Sequence, residues 1–212
     1  MYSSTKFLNF SKVLGLSPHP DDIEYGMSGT ILKYPDTHFD LVCMTKGGNC
    51  DVTTKESNRH QEMIEFWKDV PNVTIHFIFF DAITEGEDYI ISYLEKNIIS
   101  NHELILTPSN NDNHFFHKKI NNIGPALCRI KPMSLIEYFT PSTSLEWIPN
   151  FVVNLDENIY LNKKKRLQKF TSQIHKTYFS DFCLDSFHSS LEFTKKGLHW
   201  VEKFRSNSTI LN

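Results

Sequence analysis

The chain has 212 residues, 40% of them hydrophobic and 22% charged, a balance that suits one globular domain spanning residues 1–212. A formal net charge of -3 argues against a general attraction to nucleic acid or anionic membrane, and no run approaches the ~20 apolar residues of a membrane span. The opening stretch holds only the short apolar core "VLGL", far less than a signal peptide needs. Cys43, Cys50, Cys128 and Cys183 form no CxxC pair, so the expected compartment is the cytoplasm with reduced thiols.

Apolar runs of strand length alternate with amphipathic runs of helix length. "KVLGL" (12–16) reads as a buried strand, and a helix is predicted from about Ile23 to Tyr34, stopped by Pro35 and Asp36. "FDLVCMT" (39–45) predicts a second strand, 55–69 a helix with Met63, Ile64 and Trp67 at helical spacing, and "VTIHFIFFD" (73–81) a third strand. A helix over 87–100, a strand over 103–109 and the polar loop "NNDNH" follow. "KINNIGPALCRI" then reads as helix broken or kinked near Gly124-Pro125, ahead of a fifth strand over 133–139. The last third is less regular: a late strand over 149–156, helices over 163–173 and 191–205, and an aromatic-rich loop between them. The run Lys163–Arg166 reads as a solvated helix face. This order predicts a Rossmann-like α/β fold, a mostly parallel sheet flanked by helices on both faces. In such sheets ligands bind outside the carboxyl ends of the strands, where segments 17–22 and 108–117 both fall.

"SPHPDDIEYGMSGT" (17–30) places His19, Asp21 and Asp22 directly after the first strand. Adjacent carboxylates repel unless a cation lies between them or they do different work. His19 and Asp22, three apart at a helix start, can share one metal ion. Asp21 then points elsewhere, toward water, to handle protons. "DNHFFH" (112–117) supplies two further histidines, and either His114 or His117 completes two histidines and a carboxylate with an open position, the ligand count of a hydrolytic zinc site. Ferrous iron or cobalt suits the same ligands. His38, His60, His76, His102, His175, His188 and His199 have no spacing that marks them as ligands.

"PHPDDIEYGMSGT" resembles the (A/P)HPDD-x-E-x-G-x-x-GT signature of the PIG-L/LmbE family of zinc-dependent N-deacetylases, including Glu24, Gly26, Gly29 and Thr30. "TKG" at 45–47, Arg59 with Glu62, "HFFH", "PN" at 149–150, "KKKRLQKFTSQ" and "EKFR" resemble later family segments in the right order. The resemblance implies zinc ligands His19, Asp22 and His117, Asp21 as general base, His114 as oxyanion stabiliser, and Arg59 as a substrate contact. It also implies a reaction, removal of an N-acetyl or other N-acyl group from an amino sugar, free or nucleotide- or lipid-linked. One departure stands out: Phe116 occupies the place of the family's aspartate, which orients the first histidine of the motif, and Phe115 replaces its proline. Asp112 is the expected substitute for that aspartate. The alternatives are a metal-binding relative with weakened catalysis and a deacylase for another N-acyl group such as formyl. The aromatics of 174–190 are expected near the pocket, and the oligomeric state stays open.

Overall fold

The computed structural model describes residues 5–47, 58–80, 85–129, 131–190 and 200–208. Five parallel strands form its centre: β1 (Lys12–Ser17), β2 (His38–Cys43), β3 (Val73–Phe77), β4 (Leu104–Pro108) and β5 (Ser134–Tyr138). β4 and β5 are buried throughout, as expected of strands covered on both faces, and most of their positions are apolar. Two more strands, β6 (Phe151–Leu155) and β7 (Trp200–Ser208), complete a seven-stranded sheet in the order β3-β2-β1-β4-β5-β7-β6, with β7 antiparallel to both neighbours.

Helices cover both faces. α1 (Asp22–Lys33) and α2 (Arg59–Trp67) share one apolar layer with α5 (Glu157–Leu167) and α6 (Asp181–His188), through Ile23, Phe66, Tyr160 and Leu184. On the opposite face, α3 (Glu87–Asn97) and α4 (Phe115–Leu127) pack Leu94 and Ile120 against Leu14, Val42 and Ile105. The strand order reverses between β1 and β4, making the switch-point crevice where open α/β sheets take ligands. α1 lies close to that crevice because Gly26 has no side chain: a Cβ there would sit 2.2 Å from the Phe139 carbonyl oxygen. No helix among the described residues is long and apolar enough to cross a membrane.

Three expectations change. Of the helix predicted over 191–205, residues 191–199 lie outside the described residues and 200–205 belong to β7, where Val201 and Phe204 are buried against neighbouring elements. The helix expected after the fourth strand begins at Phe115 and runs through Pro125, whose ring is accommodated in the last turn of α4. Lys163 is not solvated: it is fully buried, while Lys164 and Arg166 remain nearer the surface. Shorter adjustments follow the same logic, with β3 ending at Phe77, α5 ending at Leu167, and α6 forming inside the aromatic-rich stretch.

Candidate active site

β1 ends at Ser17, and the next four residues, Pro18 to Asp21, reverse the chain into α1. The Ser17 hydroxyl donates to the His19 carbonyl (2.7 Å), and the His19 N–H donates to Asp22 Oδ2 (2.9 Å), so the turn is tied by its own side chains. Asp21 caps α1 with φ 120°, a conformation costly for a residue with a Cβ. Its N–H donates to Glu24 Oε2 (2.9 Å), and Arg59 Nη1 from α2 donates to its Oδ1 (3.3 Å). The two adjacent acids therefore diverge, Asp22 toward histidines and Asp21 toward Arg59.

Past β4, Asp112 organises the second segment. Its Oδ1 accepts the His114 backbone N–H (2.8 Å), and its Oδ2 accepts from His117 Nδ1 (3.0 Å) and from the Thr140 hydroxyl (2.5 Å). That leaves His117 Nε2 facing His19 and Asp22. His19 Nδ1 lies 3.1 Å from Asp22 Oδ2 and 3.2 Å from His117 Nε2, and His117 Nε2 lies 3.2 Å from Asp22 Oδ2. This near-equilateral triangle of donors fits a divalent ion with bonds of ~2.0–2.1 Å in tetrahedral arrangement, whose ligand atoms stand about 3.3 Å apart. The His117–Asp112 bond is the carboxylate–histidine support usual behind a metal ligand. Ligating atoms of His19, His114 and His117 also lie within 4.8 Å of one another, so this group could hold a metal.

The electrostatics follow from this packing. Burial pushes the Asp21 carboxyl up to about 8, with Arg59 pulling against it and Asp22 adding to the rise. Burial acts upward on Asp22 too, but His117 and His19 override it and hold that carboxyl well below the usual range. For His117, burial favours the neutral ring, yet Asp22 and Asp112 push it up to about 10. The pull that retains a proton there would equally retain a cation, and metal binding would release the proton. His114 goes the other way, lowered to about 4 by burial and by the neighbouring histidines, so its ring is neutral near pH 7.

All six residues singled out in the sequence converge on this crevice. Asp112, however, serves His117 and the His114 backbone; the His114 Nδ1 is buried without a hydrogen-bond partner. Phe116, in the place of the expected aspartate, is fully buried in the α3/α4 core with its ring edge-on to His19 (5.9 Å), while the half-exposed Phe115 stacks on His114 (5.6 Å). Two participants gave no recognisable spacing signal. Thr140 follows β5 and reaches Asp112. Lys176, in the turn after α5, lies close enough to act by charge on Asp21, Asp22 and Arg59.

At the switch point, two histidines and a carboxylate form one ion-sized triangle with a second carboxylate beside it, an arrangement that could hold a metal ion. The PIG-L family model, described as GlcNAc-PI de-N-acetylase, matches residues 14–128, and the chain belongs to that family of deacetylases. The chain is similar to the uncharacterized deacetylase YaiS of Escherichia coli (strain K12), 29% identical over 170 residues that make up 76% of this chain and 90% of the relative. Its fold resembles the N,N'-diacetylchitobiose deacetylase of Pyrococcus horikoshii, solved with an inhibitor (TM-score 0.66, 22% identity, 95% of this chain and 85% of that one). It also resembles GalB, the 4-carboxy-2-hydroxymuconate hydratase of Pseudomonas putida KT2440 (TM-score 0.73, 14% identity, 95% and 98% coverage). One fold thus carries both a deacetylase and a hydratase, so the fold alone does not decide the reaction and the site residues must.

Proposed function

We propose that the protein is a metal-dependent hydrolase that removes an N-acyl group, acetyl foremost, from the nitrogen of an amino sugar or amino-sugar conjugate. The observation that supports the reading best is the triangle of His19 Nδ1, Asp22 Oδ2 and His117 Nε2, 3.1–3.2 Å on each side, with the Asp21 carboxylate on the neighbouring residue. His19, Asp22 and His117 would hold the ion, zinc by its nitrogen and oxygen donor set. When bound, such an ion supplies Lewis acidity, which lowers the pKa of water toward ~7 and polarises an amide carbonyl.

The chain's residues divide the remaining work. Asp21, whose ionised form a cation held at the neighbouring triangle would favour against the burial that raises it, accepts the proton of the attacking water as the new C–O bond forms at the amide carbon. It returns that proton to the nitrogen as the C–N bond breaks, releasing amine and carboxylic acid. Arg59 steadies Asp21 and contacts the substrate beside it. His114 presents a neutral N–H to the carbonyl oxygen as negative charge develops there. Asp112 and Thr140 hold His117 in the tautomer that turns Nε2 toward the ion.

Acetate release from a panel of N-acetylated amino sugars, with zinc-loaded wild type beside Asp21→Asn, tests the reading. A general base contributes ~10²–10⁴ in rate, so the variant should keep its zinc and lose turnover on that scale. Equal turnover would remove Asp21 from its role. A second reading, a relative with weakened turnover, is favoured by the unpartnered His114 Nδ1. It would show as tight zinc and sugar binding with acetate release too slow to follow.

A further inference from the structure

We propose that Phe115 is a positioning residue for His114: its ring stacks on the imidazole and holds its plane, the work that a carboxylate bonded to Nδ1 would otherwise do. The inference rests on the role proposed above for His114, and its test reads the imidazole itself as well as turnover.

The His114 backbone is well fixed. As the cap of α4 it donates its N–H to Asp112 Oδ1 (2.8 Å) and accepts the Lys118 N–H at its carbonyl (3.2 Å). The side chain has no such tether. Its Nδ1 is buried and has no hydrogen-bond partner among the described residues, because the second Asp112 oxygen serves His117 and Thr140. Phe116 gives no polar contact and points its fully buried ring at His19 instead.

Ring contacts are what remain to orient the imidazole. His19 meets it edge-on, with centroids 4.8 Å apart and planes at 84°, and His117 lies tilted at 4.7 Å and 38°. Phe115 lies closest to parallel, at 5.6 Å and 21°, the offset stacking that aromatic pairs prefer. The Phe115 ring leans in turn on Phe116 (6.2 Å, 55°), which belongs to the apolar layer of Leu16 and Ile120. The support is thus anchored in the core, although Phe115 itself is 57% exposed. Burial therefore gives that ring little, and the first position of a helix suits proline better than an aromatic. Its contact with His114 accounts for its place. A donor aimed at a developing oxyanion is effective only while its direction is held, and an imidazole free to tilt would present its N–H for part of the time.

The test measures acetate release from the best substrate of the N-acetyl amino-sugar panel by zinc-loaded wild type, Phe115→Ala, Phe115→Leu and Phe115→Tyr, each with and without His114→Ala. Because Phe115 is more than half exposed, none of its changes empties the core. A stacked aromatic pair contributes on a scale equivalent to about 2–10-fold in rate. Phe115→Ala and Phe115→Leu should lose about that much kcat with little change in KM, and Phe115→Tyr should retain it. In the His114→Ala background, Phe115→Ala should cost nothing further. An equal loss there, a loss through KM, or full activity in Phe115→Leu would overturn the proposal. NMR of the zinc-loaded proteins separates it from the deacetylase reading. The His114 ring resonances, assigned by their loss in His114→Ala, should shift in Phe115→Ala and stay near wild type in Phe115→Tyr. Unmoved resonances overturn the proposal even where acetate is released. Shifted resonances with no acetate release by wild type would keep the support of His114 and sink the reaction.

Discussion

Replacing Lys163 with methionine should destabilise the protein severely, although the sequence places that lysine in a solvent-facing basic run. Its ammonium is fully buried and donates to Glu202 Oε1 (2.5 Å) and to the Tyr25 carbonyl (2.5 Å), with His188 Nε2 at 2.7 Å. His188 donates from Nδ1 to the Leu184 carbonyl (2.9 Å), which leaves Nε2 as an acceptor for the lysine. The fully buried Glu202 side chain also takes the Gly29 and Thr30 N–H groups of α1 (2.8 and 2.6 Å). Methionine matches the length of the lysine stem but strands the Glu202 charge in the core. Breaking one side of a buried pair costs about 3–5 kcal/mol, a large share of the ~5–15 kcal/mol that holds a domain folded. At about 2–3 kcal/mol per molar urea, the unfolding midpoint should fall by roughly 1–2.5 M. Lys163→Met with Glu202→Leu removes both charges and should recover most of the loss, giving a large coupling in the double-mutant cycle. A single variant within about 1 kcal/mol of wild type, or additive effects in the cycle, would refute this account of the network.

Asp112→Ala should weaken zinc binding about 10–100-fold, measured against a competing chelator, because His117 loses the acceptor at 3.0 Å that fixes its tautomer. Unchanged affinity would mean that Thr140 and Ser142 suffice to orient the ring. Phe116→Asp should not restore a lost function. It puts a carboxylate into a fully buried apolar layer and should cost at least about 3 kcal/mol by urea unfolding, and a stable, faster variant would contradict this. Burial acts to raise the Asp40 carboxyl, but bonds from His76, His102 and Lys12 override it and hold it well below the usual range. A depressed carboxyl stabilises the fold above its unfolded value near 4 and loses that contribution as pH falls through its folded value. The urea midpoint of wild type should therefore drop more steeply below about pH 4 than that of Asp40→Asn, and parallel curves would exclude the effect.

The parallel strands were legible because their runs of Leu, Ile, Val and Phe are strand-length and bracketed by turn residues; β1, β2, β4 and β5 are buried almost throughout, while the edge strand β3 is only partly buried. β7 was not legible. Its buried positions include Glu202 beside Val201, and the lysine that makes such a carboxylate tolerable is 39 residues away in α5. A charged residue inside a strand reads as polar surface until its partner is known, and the same blindness turned Lys163 into a solvated residue. At the site, His19, Asp21 and Asp22 were readable because they are neighbours on a turn that Pro18 and Pro20 stiffen. The role of Asp112 was not readable, since an aspartate two residues before one histidine and five before another can serve either. The choice depends on where α4 starts. It starts at Phe115, leaving His114 as the cap and carrying His117 one turn in, where its Nδ1 meets the Asp112 oxygen.

The division of labour between Asp21 and Asp22 comes from one backbone conformation. In a regular helix start, consecutive side chains differ by about 100° around the axis, and both carboxylates would sit close to the same histidines. At φ 120° Asp21 departs from that path, so its carboxylate meets Arg59 while Asp22 turns back to His19 and His117. Such a conformation costs of order 1–3 kcal/mol and persists only where its surroundings impose it. Here they do: Glu24 takes the Asp21 N–H, Trp67 fixes Glu24 through its indole N–H (2.5 Å), and Gly47, itself at φ +72°, lets Arg59 and Pro20 pack closely beside it. Strain at one residue thus separates a candidate base from a candidate ligand across a single peptide bond. Glu24, the glutamate of the HPDD-x-E run, is the group that holds the separation.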